Sequence, residues 1–212
     1  VLMANGLYAV AKSYILYRQK RAELRAARTA LTDAVDAPGL DECLAEIQQA
    51  FEGPEYSLTV LSGKFSSFLK SGMPRQEALG ALVKAAVELT TQQAPKWEFI
   101  AARLLNYKFE LELQAELEKR GIHTFYEKLR YLTDEGLYGA YILERYSREE
   151  LEQAASFLRP ERNALFTYAG LDLQLKRYVI HTHQRVPLET PQEMYLGIAL
   201  HLAMEEKQDR LG

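Results

Sequence analysis

The sequence predicts an all-α protein, mostly helical, with orthogonal or bundle-like helices and at most one small β-hairpin near residues 178–188. Three observations lead there. Apolar residues recur at intervals of three and four through most of the chain, the period of one helix face. The seven prolines, at 38, 54, 74, 95, 160, 187 and 191, stand mostly where helices begin rather than inside them. Ser57, Ser147 and Thr190 precede apolar runs as side-chain caps, and Glu150 and Glu193 follow the last two at the spacing of a reciprocal capping box.

Taken in order, Leu7, Val10, Ala11, Tyr14, Ile15 and Tyr17 open a long helix over about 7–30, whose later residues are basic. Asp33, Asp36, Pro38 and Gly39 make 32–39 a linker. Helices follow at about 40–51 and 57–70, the second capped by Ser57 and closed by Gly72. Leu79, Leu82, Val83, Ala86 and Leu89 place one stripe on 74–91, and Trp97, Ile100, Ala101, Leu104 and Leu111 place another on 95–118. These two helices are expected to pack together. Past Gly121 the elements shorten, to helices at about 123–132 and 139–145 and one from Ser147. Pro160 opens a helix to about Tyr178, and Thr190 with Pro191 and Glu193 opens the last, to about Lys207. Between them Tyr178, Val179, Ile180 and then Val186, Pro187, Leu188 flank a polar stretch, which reads as the small hairpin. Residues 10–18 and 100–108 share a spacing of small, large apolar, Tyr and basic residues, an echo that either a true repeat or shared helical composition explains.

Composition bounds the function. With 212 residues, 48% hydrophobic and 26% charged, the chain is an ordinary globular protein of one or two domains. A net charge of -3 leaves no basic excess to hold a polyanion, so nucleic acid is not an expected partner. Its apolar stretches are broken by Lys84, Glu88 or His201 before the ~18 residues a spanning helix needs, and no membrane partner is expected. Cys43 is the single cysteine, which excludes an internal disulfide or a thiol pair and fits a reducing, cytoplasmic setting. The opening at Val1 and the stop directly after an amphipathic run read as a piece of a longer polypeptide.

The strongest local charge is on the first helix, where Lys12, Arg18, Lys20, Arg21, Arg25 and Arg28 against Glu23 give +5. Arg18, Arg21 and Arg25 share one side, a spacing that suits a polyphosphate as well as a solvated basic face or an acidic neighbour. His181 and His183 would point the same way on a strand, but no further ligand lies at metal spacing, so no metal is assigned. His201 borders an apolar stripe and His123 starts a helix. Glu149 with Glu150 and Glu205 with Glu206 are adjacent and splay apart, so they frame no substrate. The thirteen tyrosines, among them Tyr126, Tyr131, Tyr138, Tyr141, Tyr146 and Tyr168, are expected to pack with bonded hydroxyls rather than carry radicals or stack bases. Cys43 is given no chemistry, and no catalytic residue follows from spacing.

Residues 88–104, ELTTQQAPKWEFIAARL, and 163–203, NALFTYAGLDLQLKRYVIHTHQRVPLETPQEMYLGIALHLA, resemble the amino-terminal helical region of the large, catalytic subunit of ribonucleotide reductase. The carrying residues include Pro95, Trp97, Glu98 and Arg103, then Tyr168, Gly170, Leu171, Arg177 and Tyr178, and finally Glu189, Thr190, Pro191, Glu193 and Met194. With 126–151, YEKLRYLTDEGLYGAYILERYSREEL, the likeness spans about 57–207. The opening, VAKSYILYRQKRAELR, looks like the last helix of an ATP-cone, a module that senses ATP against dATP. The resemblance implies three parts: the end of a cone at 1–30, a degenerate cone-like segment at 31–108 and the helical domain that leads into an absent barrel at 109–212. It implies a subunit that makes deoxyribonucleotides from ribonucleotides by radical chemistry, with its reactive cysteines outside this chain, leaving the fragment inactive. It carries Arg18 and Arg21 over as effector-phosphate positions of an intact cone. No cofactor is implied for the fragment; ATP and dATP effectors and a radical-generating partner or cofactor belong to the parent. Implied partners are the rest of the large subunit, further copies of the parent in a homo-oligomer and a radical-generating small subunit. Two other readings stand beside this one: a stand-alone helical adaptor whose +5 helix docks an acidic partner or nucleic acid, and a nucleotide-sensing regulatory domain.

Overall fold

A computed structural model describes residues 8–206. Among them the chain forms ten α-helices and two short 3₁₀ turns, and it clusters into two compact units, Val1–Tyr107 and Lys108–Gly212. The all-α expectation holds.

The first unit contains α1 (Tyr8–Val35), α2 (Leu40–Ala50), α3 (Leu58–Ser66), α4 (Arg75–Glu88) and the start of α5 (Trp97–Arg120). Leu31, Leu40, Leu61, Leu82, Ile100 and Leu104 are wholly buried, each burial contributing about 1.5–3 kcal/mol. Trp97 anchors α5 by donating from Nε1 to the Glu55 carbonyl at 3.0 Å, in the 3₁₀ turn Pro54–Tyr56. Helix α1 runs past the expected end near residue 30, because Leu31 and Val35 both turn into the core. The expected linker thus shrinks to 36–39, where Asp36 takes a left-handed φ of 49° and donates its amide to Thr32 at 2.8 Å. Gly39, at φ 78°, then turns the chain into α2.

At its other end α1 departs from a one-sided pattern. Of the residues that set its period, Ala11 is buried, whereas Val10, Tyr14, Ile15 and Tyr17 are half exposed or more; Leu7 lies outside the described residues. With Tyr8 and Leu16 they point all round the axis, so periodicity there marks a helix without marking a core face. Helix α3 ends at Ser66 instead of about residue 70. The Ser66 and Ser67 hydroxyls donate to the carbonyls of Ser62 and Lys64 at 2.8 and 2.7 Å and compete with the helix there. Gly72, expected to close that helix, sits in the following loop at φ 72°. The nearest backbone neighbours of α4 are α3 and α1. The two echo segments differ in setting: Ile100, Ala101 and Leu104 are buried, Val10 and Ile15 are not.

The second unit holds the rest of α5 with α6 (Phe125–Asp134), α7 (Tyr141–Arg145), α8 (Arg148–Ala155), α9 (Tyr168–Arg177) and α10 (Pro191–Ala203). Phe125, Leu129, Ile142, Tyr146, Leu151 and Leu200 form one cluster across four helices, and Phe109, Leu113 and Leu117 of α5 form another with Ile122. The capping boxes predicted at Ser147 with Glu150 and at Thr190 with Glu193 are both present, and Thr124 with Glu127 makes a third. The helix expected from Pro160 to about Tyr178 is instead a 3₁₀ turn, Pro160–Leu165, and a separate α9, because the Thr167 side chain accepts from Gly170 N and starts a new helix. Helix α10 ends at Ala203; Lys207 lies outside the described residues. Residues 178–188 form a turn closed by one isolated bridge, His181 to Pro187, with no strand among the described residues. Pro187 has no amide to extend a ladder, and Arg185 bends the segment at φ 66°.

Candidate functional site

Arg18 and Arg21 lie in the exposed part of α1. Each guanidinium rests on a tyrosine one turn earlier, Arg18 at 6.0 Å from the Tyr14 ring centre and Arg21 at 5.6 Å from that of Tyr17, whose hydroxyl also accepts from Arg21 at 3.2 Å. Farther along, Arg28 pairs with Asp41 at 2.8 Å, which removes it from the free basic face. The groove beside α1, lined by Leu16, Lys20, Glu23, Pro54 and Val60 among others, does not include Arg18 or Arg21. The structure thus brings the two predicted residues to one exposed helix face.

A second constellation, unforeseen from sequence, is buried in the other unit at the start of α10. Lys128 of α6 is only 6% exposed and donates from Nζ to both carboxylate oxygens of Glu193, at 2.6 and 2.8 Å. Glu193 also caps its own helix, accepting from Thr190 N at 2.7 Å, so one carboxylate joins α6 to the first turn of α10. Breaking such a buried pair by removing one partner typically costs about 3–5 kcal/mol. Glu189, one residue before the cap, is 4% exposed, and its Oε1 accepts the Ile180 amide at 2.9 Å, tying the 178–188 turn to the same place. Burial pushes the Glu189 carboxyl up to about 7, against the pull of the Ile180 amide, and the Glu193 carboxylate adds to the rise. Tyr138 is close by: burial first, then the Glu189 charge, push its hydroxyl up to about 12. A pocket of about 260 Å³ opens beside this group, lined by Leu117, Ile122, His123, Phe125, Lys128 and Glu193 with neighbouring polar residues. The cluster can hold and release one proton and clamp three segments; it sets no nucleophile against a base.

The remaining sequence candidates fall into structural settings. Tyr146 is buried and donates to the Leu200 carbonyl at 2.8 Å, which is the packing role expected of it. His201 is exposed and meets the Tyr141 ring edge-on at 5.1 Å. The His123 amide donates to Glu127 at 2.9 Å just before α6. Glu150 serves as the N3 member of its capping box, and Glu205 pairs with Arg145 at 3.3 Å. His181 is half-buried and His183 exposed, and no group of three or more potential metal ligands forms among the described residues. No described helix is long and apolar enough to cross a membrane. One signal could have found the buried cluster: Lys128 stands on the apolar face of α6, at helical spacing from Phe125 and Leu132.

Residues 164–211, the part that carries α9, Glu189 and α10, match the ribonucleotide reductase, all-alpha domain. The class of that segment is therefore that of a ribonucleotide reductase helical domain. Over 200 residues the chain is 54% identical to the ribonucleoside-diphosphate reductase subunit alpha of Treponema pallidum (strain Nichols), covering 94% of this chain and 24% of the relative. The subunit alpha of Enterobacteria phage T4 is 29% identical over 164 residues, 76% of this chain and 21% of that one. That of Chlamydia trachomatis serovar D is 30% identical over 237 residues, 97% of this chain and 22% of the relative. Residues 164–211 thus belong to the ribonucleotide reductase all-alpha domain, the chain as a whole is similar to ribonucleoside-diphosphate reductase subunits alpha, and it spans about a quarter of the length of these curated relatives.

Proposed function

We propose that this chain serves the conversion of ribonucleotides to deoxyribonucleotides as the helical, regulatory portion of a ribonucleotide reductase large subunit, and that it turns over no substrate by itself. The observation that carries this is the 54% identity over 94% of the chain to a protein named ribonucleoside-diphosphate reductase subunit alpha. Radical chemistry of this kind needs a cysteinyl radical and a pair of thiols, and the chain's single cysteine, Cys43, cannot supply that set. Its job is then mechanical. The helices transmit the state of a regulatory module to the catalytic remainder, with 1–30 as the end of a cone, 31–108 as a cone-like segment and 109–212 as the domain leading onward. The partners are the rest of the large subunit, further copies of it, and a radical-generating small subunit, in the cytoplasm. Arg18 and Arg21 are assigned to effector phosphate in an intact cone; their shared exposed face supports this.

The test is replacement. The chain is substituted for the corresponding region of the Treponema pallidum subunit, and deoxynucleotide formation by the hybrid is measured with and without ATP and dATP. Activity that responds to effector supports the reading. A folded hybrid without activity contradicts it, and an unchanged effector response after Arg18→Ala and Arg21→Ala removes the assignment of those two residues.

A further inference from the structure

The buried group at the start of α10 has an uneven charge count. Lys128 is matched by Glu193, to whose two carboxylate oxygens it donates. Glu189 comes from the turn side as a second carboxyl with no cation of its own, and the groups facing it are Glu193 on α10, Lys128 on α6 and Tyr138 from the loop between α6 and α7. Among the described residues its hydrogen bond is the one it accepts from the Ile180 amide. In a setting 4% exposed, one cation balances one carboxylate, so the surplus acid keeps its proton.

We propose that Glu189 is a proton-operated latch: protonated, it holds the 178–188 turn against α10, and ionised, it loosens that turn. Residues 178–188 suit such motion. One isolated bridge and the bonds Thr182 N to Val186 O (2.8 Å) and Leu188 N to Ile180 O (2.9 Å) close the turn, and Arg185 sits in the left-handed region at φ 66°. Val179 and Leu188 bury its ends, and its other bonds, among them those from Gln184 N and Val186 N to the Thr182 hydroxyl at 3.2 Å, run within the turn. Glu189 is the side chain that ties Ile180 to the start of α10, so the cost of charging that carboxyl falls there first. The direction follows from the geometry. Ionisation strengthens the Ile180 bond, but it also places a second negative charge beside Glu193 in a site with one lysine, and repulsion with desolvation outweighs a single amide donor. The burial that pushes the carboxyl up to about 7 sets the working range near neutrality.

Two measurements on the whole chain test this. The Glu189 side-chain carboxyl carbon is followed by NMR from pH 4 to 9; a midpoint near 7 is expected, and one near the ordinary carboxylate value would overturn the proposal. Amide exchange at Ile180, Thr182 and Leu188, corrected for intrinsic rates, is compared at pH 6 and pH 8. Protection is expected to fall roughly tenfold in the native chain and to stay level in Glu189→Gln. The same fall in Glu189→Gln, or none in the native chain, would overturn it. Should the glutamine variant not fold, Glu189→Asp replaces it, with a displaced exchange midpoint expected and an identical one overturning the latch.

Discussion

At the scale of single residues, one contact on α10 was invisible in sequence and has a measurable consequence. A Cβ added at Gly197 would fall 2.0 Å from the Tyr138 hydroxyl oxygen, which is held on a ring packed against the core cluster of this unit. Alanine in a helix interior ordinarily gains about 1 kcal/mol over glycine, but a rigid, packed ring that must move costs about 1–3 kcal/mol. Gly197→Ala is therefore expected to destabilise the chain in urea titration, and adding Tyr138→Phe, which removes the blocking oxygen, should recover most of the loss. Equal loss in the single and double variants would show that the hydroxyl is not the obstacle.

Glu189 gives this scale a pH dependence. Its folded value, about 7, stands above its ordinary value of 4.5, so the folded form binds the proton more tightly. That contribution is full below the ordinary value and is lost as pH rises through 7, about 3 kcal/mol in all. Glu88 and Glu127 act in the opposite sense, lowered chiefly by hydrogen bonds from Lys64 and from the His123 amide. The difference between the native chain and Glu189→Gln, measured by urea unfolding at pH 5 and at pH 8, isolates the one group. The native chain should lose stability relative to the variant on going to pH 8.

Element by element, sequence legibility followed where the determining chemistry sits. Thr190 with Glu193, Ser147 with Glu150, and Ser57 were readable because a cap and its partner lie within three residues of each other. The end of α1 was not, because Asp33, Asp36 and Pro38 look like linker while burial of Leu31 and Val35 carries the helix on to Val35. The break between the 3₁₀ turn Pro160–Leu165 and α9 was missed although Thr167 is a good cap, since the apolar run around it reads as continuous. The Lys128–Glu193 pair joins residues 65 apart, a distance no local pattern reports. From the capping box on α10, Thr190→Ala is expected to cost about 1 kcal/mol, read as a lower midpoint in thermal unfolding, and Thr190→Ser to cost little. An alanine variant as stable as the native chain would mean the Lys128 bridge alone fixes the helix start.

For the whole molecule, the family was legible in the ordered run of residues from 163 to 203, and residues 164–211 match the helical domain. The predicted polyphosphate residues were legible only as a face: Arg18 and Arg21 share it, but closure around a ligand depends on surroundings that spacing does not encode. The proposed role is that of helices that support a catalytic remainder and carry no reaction themselves. The most direct measurement is deoxyribonucleoside diphosphate formation by the purified chain, beside the same chain continued into the rest of a large subunit, both with reductant and a radical-generating small subunit. No product is expected from the first and steady turnover from the second; product from the isolated chain would overturn the proposed role.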